Sequence, residues 1–122
     1  MVVISYIYKD FYGTEAFKKS VEKLGYELAI IRTSDNVPEI MRSLYDCYVR
    51  ASSGHETFIY ADAADSIFQS VPVIPNDKII YQTEKSCFPF PDKASLFTDK
   101  SRWKYLNGGG YCGSLKLIVQ FF

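Results

Sequence analysis

The chain has 122 residues, with 14 Lys and Arg against 14 Asp and Glu, so its formal net charge is zero. That balance excludes the net basic face on which nucleic-acid binding normally depends. Apolar residues make up 48% and aromatics 16%, enough for one core in a single domain spanning residues 1–122.

Residues 2–8 (VVISYIY) are β-branched and aromatic and predict a buried first strand. Gly13 and Thr14 open a helical segment with apolar residues at Ala16, Phe17, Val21 and Leu24. Thr14 is the expected N-cap and Gly25 the expected stop. Residues 27–32 (ELAIIR) read as a second strand. Pro38 suits the first turn of a second helix, which sets Ile40, Leu44, Cys47 and Tyr48 on one face. Residues 52–54 (SSG) close it, and residues 56–61 form a third strand that delivers Asp62.

The remainder changes character. A proline-bearing loop at residues 70–76 precedes a fourth strand, residues 78–82, that ends near Glu84. Residues 85–103 are irregular and include CFPFP, and a stretch KYLNGGGYCGS leads into the closing apolar LKLIVQFF. Alternating strands and helices predict an α/β, Rossmann-like, mostly parallel sheet flanked by helices. In such sheets ligands bind beyond the carboxyl ends of the strands, which is where Lys9, Asp10, Tyr12, Asp62 and Asp65 fall.

Two carboxylates three positions apart at the end of an apolar strand either cap a turn or hold a cation. Glu84 is either a solvated strand-end carboxylate or part of a ligand pocket. Asn107 with Gly108, Gly109 and Gly110 is either a tight bend before a last helix or a place where backbone approaches a ligand. Arg42 reads as a solvated helix charge, and His55 lies apart from every motif. Three cysteines, Cys47, Cys87 and Cys112, lack metal spacing, which leaves a single Cys87–Cys112 bridge open. No apolar run reaches the ~20 residues of a membrane helix, and the start lacks the features of a signal peptide. The expectation is a cytoplasmic chain that meets neither membrane nor nucleic acid.

YADAADSIF, IIYQTEKSCFPFP and WKYLNGGGYCGS, in that order, resemble the glycosyltransferase domain of the procollagen glycosyltransferase and lysyl hydroxylase family. That domain has a GT-A nucleotide-sugar fold, and the likeness runs from the first strand to the last residue. It implies Mn²⁺ or Mg²⁺ at Asp62 and Asp65, and a UDP-sugar donor contacted by Lys9, Asp10, Tyr12, Asp62, Gly108 and Gly109. It also implies catalytic roles for Glu84 and Asn107. The sequence departs from the pattern at Ala64, where the family has an aromatic residue. Phe88 replaces the turn tryptophan, and the Ser of Asn-Ser-Gly-Gly is absent at Asn107-Gly108-Gly109. The family's domain continues for roughly as many residues again, so the resemblance implies a domain truncated to about the N-terminal half. Two functions follow: a hexose transferase completed by a partner protein or a second copy (a homo-oligomer), or a non-catalytic remnant that binds a nucleotide or a protein. A receiver-like phospho-acceptor domain is a third and more distant reading.

Overall fold

A computed structural model describes residues 1–70, 72–86, 91–98 and 100–122. Strand β1 (Val2–Ile7) leads to helix α1 (Thr14–Lys23), β2 (Glu27–Arg32), α2 (Val37–Ala51) and β3 (Thr57–Ala61). Then come β4 (Ile79–Glu84), a short 3-10 helix (Pro91–Leu96), β5 (Tyr105–Ser114) and α3 (Leu115–Phe121). The five strands form one sheet in the order β2-β1-β3-β5-β4.

β1 pairs in parallel with both β2 and β3, with Ile4 opposite Tyr60. Each parallel pairing spans a helical crossover, because a short hairpin cannot return the chain to the same end of the sheet. β5 runs antiparallel to β3 and to β4, so the sheet is mixed where a mostly parallel one was expected. The strand expected over residues 78–82 and ending near Glu84 covers Ile79–Glu84.

The larger correction concerns Asn107 to Gly110. Expected as either a tight bend or a ligand approach, it lies inside the ten-residue β5. The register against β4 slips there, with Tyr81 opposite Tyr111 and Gln82 opposite Asn107, so the glycines occupy an irregularity in the ladder, as glycine inside a strand commonly does. Thr14 is likewise the first helical residue rather than the cap. Gly13 holds the cap position with no side-chain bond, and the Thr14 hydroxyl instead accepts from the Phe11 N–H at 3.3 Å. Gly25 ends that helix with φ of 74°, as a stop residue does.

Two apolar layers sandwich the sheet. On one face Ile4, Phe58 and Tyr60 pack with Leu44 and Tyr48 of α2 and with Leu115 and Ile118 of α3. On the other, Val3 and Ile7 meet Phe17 and Val21 of α1, together with Ala63. Strand alternation sends successive side chains to opposite faces, so Tyr60 and Asp62 share the α2 side. No helix among the described residues is long and apolar enough to cross a membrane.

Candidate functional site

Asp62 leaves the central strand β3 where the sheet ends. Three contacts hold it there. Its backbone N–H donates to the Gly109 carbonyl at 3.0 Å, extending the β3–β5 ladder by one residue. The buried Ser5 hydroxyl donates to the carbonyl of Ala61 at 2.6 Å, tying β1 to the same strand end. The Tyr60 hydroxyl donates to Asp62 Oδ1 at 3.1 Å.

The other carboxylate oxygen faces β5. A Cβ placed on Gly109 would stand 2.8 Å from Asp62 Oδ2 and 3.0 Å from Asn107 Oδ1. Both oxygens thus converge on the space that a side chain at 109 would fill. Asn107 Oδ1 accepts from the Gly109 N–H at 2.7 Å, which fixes its direction. Burial pushes the Asp62 carboxyl above the usual carboxylate range; the Tyr60 hydrogen bond opposes that rise and the charge of Asp65 adds to it. Asp65 itself is exposed.

Beside Asp62 lies a cleft of ≈ 250 Å³ lined by Tyr6, Tyr8, Phe11, Ala63 and Ala64. Tyr8 and Phe11 meet edge to face at 5.3 Å, and the Lys9 ammonium sits 5.2 Å from the Phe11 ring centre. The turn after Asp62 is pressed against the start of α1, because a Cβ on Gly13 would come within 2.1 Å of the Ala64 carbonyl oxygen. A second cleft of ≈ 460 Å³ opens on the opposite side of β3 and β5, between Ala61, Phe68, Gln82 and Gly110.

Asp62, Asn107 and Gly109 are therefore brought together. Lys9 sits over the aromatic rim of the cleft, whereas Asp10 turns away to Arg32 on β2 at 3.2 Å, an exposed ion pair. Tyr12 is fully exposed, and the rings at the cleft are Tyr6, Tyr8 and Phe11. Glu84 ends β4 opposite Tyr105 and is half-buried, and Gly108 has open space around it. Arg42 is exposed on α2. His55 bonds to Glu27 at 3.1 Å and to the chain's first amine at 3.3 Å, at the other end of the sheet. Cys87 and the CFPF segment lie outside the described residues; Cys112 is a half-buried thiol on β5.

Sequence reasoning missed Tyr6, Tyr8, Phe11 and Tyr60. A signal existed for three of them: in SYIY and IYAD the residues two apart share a face, which aligns Tyr6 and Tyr8 on one strand and Tyr60 with Asp62 on the next. Among the described residues no group of three or more His, Cys, Asp or Glu side chains is placed to hold a metal ion. Asp62 brings one carboxylate to this point, and Asn107 Oδ1 is already engaged by the Gly109 N–H. Neither a family model nor a curated protein matches this chain.

Proposed function

We propose that the chain is a GT-A-like nucleotide-sugar domain that binds a UDP-sugar with Mn²⁺ or Mg²⁺ and belongs to a hexose-transferring unit. The observation that carries this reading is the convergence of Asp62 Oδ2 and Asn107 Oδ1 over the bare Gly109, at the carboxyl end of the central strand. An aromatic cleft on the β1 side also borders Asp62. Ligands of open α/β sheets bind outside the carboxyl ends of the strands, where Asp62 lies.

In this reading Tyr8 and Phe11 receive the uracil ring and Lys9 offers a cation beside it. Asp62 and Asp65 would hold the cation, which would neutralise charge on the diphosphate leaving group. Asn107 orients a sugar hydroxyl or phosphate oxygen beside Gly109, and Glu84 faces the sugar from the end of β4. Transfer breaks the bond from the hexose C1 to the phosphate oxygen, whose electron pair stays on the diphosphate. A bond from the acceptor oxygen to C1 replaces it, and the acceptor proton passes to a base. A partner protein or a second copy supplies the acceptor groups.

Ala64 favours a second reading. It lines the cleft with a methyl group where the resembling family places an aromatic ring, which suits a module that binds a nucleotide without turning it over.

Calorimetric titration with UDP-glucose and UDP-galactose tests both, with and without Mn²⁺. The expected result is binding that needs the cation and is lost in Asp62→Ala and Asp65→Ala. Turnover with an added acceptor separates transferase from binding module. Absence of UDP binding under every metal condition overturns both readings.

A further inference from the structure

We infer that the tip of the β4–β5 hairpin docks on anionic lipid membranes through cations set around Trp103. The inference does not depend on the UDP-sugar reading.

The β3–β5 register ends with Ala61 opposite Gly110, yet β4 and β5 go on pairing through Gln82–Asn107, Thr83–Leu106 and Glu84–Tyr105. The hairpin therefore projects past the sheet, at the same end as Asp62. At its tip the Lys85 ammonium stands 4.5 Å from the centre of the Trp103 ring, and the Arg102 guanidinium lies over that ring at 5.6 Å. The Lys104 ammonium sits 5.4 Å from the Tyr105 ring centre and donates to the Phe97 carbonyl at 3.1 Å. Phe97 meets Tyr105 edge to face at 5.1 Å, which ties the 3-10 helix to the same tip. Among the described residues no carboxylate pairs with Lys85, Arg102 or Lys104. Residues 84–104 hold five basic side chains against three acidic, a local excess that the balanced whole chain conceals. Apolar surface lies open beside these cations: Leu96 is 74% exposed, Trp103 48% and Phe97 41%.

Charge and shape select the occupant. A tryptophan ring and the apolar stems of Lys and Arg suit the membrane–water boundary, where the cations meet anionic headgroups. Binding there scales with buried apolar area plus attraction to anionic lipid, and the tip offers both. A second copy docked tip to tip about a two-fold axis would set like charges together. Nucleic-acid bases stack on open ring faces, and Trp103 already has two cations over its ring. A helical peptide is taken up in a groove, whereas this tip projects.

Trp103 is the chain's single tryptophan, so tryptophan fluorescence reports on the tip alone. Phosphatidylcholine vesicles containing phosphatidylserine should shift its emission to the blue and carry the chain down on centrifugation. Brominated acyl chains in those vesicles should quench it. Lys85→Gln combined with Arg102→Gln should weaken binding about 25-fold, near fivefold for each cation removed. Raised salt should weaken it as well.

No blue shift with anionic vesicles, or equal binding to pure phosphatidylcholine, overturns the inference. So does an unchanged affinity in the double variant. Binding of polyuridylate or polyglutamate by a chain that ignores the vesicles overturns it in favour of a nucleic-acid or acidic-protein partner. Should the double variant fail to fold, the wild type decides through its salt dependence: vesicle binding that salt does not weaken overturns the inference.

Discussion

An added Cβ at Gly109 would crowd two side-chain ends, Asp62 Oδ2 and Asn107 Oδ1, and no backbone atom. Side-chain ends yield, so Gly109→Ala should fold with a stability change within about 1 kcal/mol. The yielding moves both proposed ligands, and Mn²⁺-dependent UDP affinity should fall at least about tenfold by calorimetry. Asp62 carries the opposite trade. Its carboxylate is half-buried and burial already disfavours its charge, so Asp62→Asn should raise the melting temperature at neutral pH by roughly 2–5 °C while abolishing cation binding. A circular-dichroism melt beside the titration checks both; a lower melting temperature would mean that the charge holds the fold instead of burdening it.

Among the elements, α2 was the most legible. Its N-cap Asn36 accepts from the Glu39 N–H at 3.3 Å, and proline follows in the first turn. Asn36→Ala should cost about 1 kcal/mol in urea unfolding, the usual worth of a cap. The join of α1 to the Asp62 turn is a tighter constraint. At Gly13 an added Cβ meets the Ala64 carbonyl at 2.1 Å, and a backbone group cannot yield as a side chain does. Gly13→Ala should therefore destabilise by roughly 2 kcal/mol or more and weaken cation binding with it, since the turn bearing Asp65 must shift. β5 was the least legible element. Its glycine triplet has a loop's composition and falls where the register against β4 slips, between the pairs Tyr81–Tyr111 and Gln82–Asn107.

Across the whole molecule, four tyrosines from four strands run through the sheet, Tyr6, Tyr60, Tyr111 and Tyr81, with Tyr48 of α2 joined to Tyr111. Burial pushes the Tyr111 phenol up to about 12 and Tyr48 further still. An acid whose folded value is raised keeps its proton longer in the fold than in the unfolded chain. Stability is therefore unaffected below the unfolded value near 10 and falls as pH climbs above it, by about 1.4 kcal/mol per pH unit for each such tyrosine. Urea midpoints measured from pH 9 to 11.5 should decline, and less steeply in Tyr111→Phe. The sequence by itself determined the first half of the sheet and the place of Asp62 at the end of β3, because hydrophobic period and capping are properties of neighbouring residues. Only the tertiary structure decided that β5 enters between β3 and β4, that Asn107 and Gly109 meet Asp62, and that Tyr12 stands in solvent while Tyr6, Tyr8 and Phe11 line the cleft. Those outcomes depend on hydrogen bonds and ring contacts between residues tens of positions apart, and no local pattern encodes which distant strands will pair.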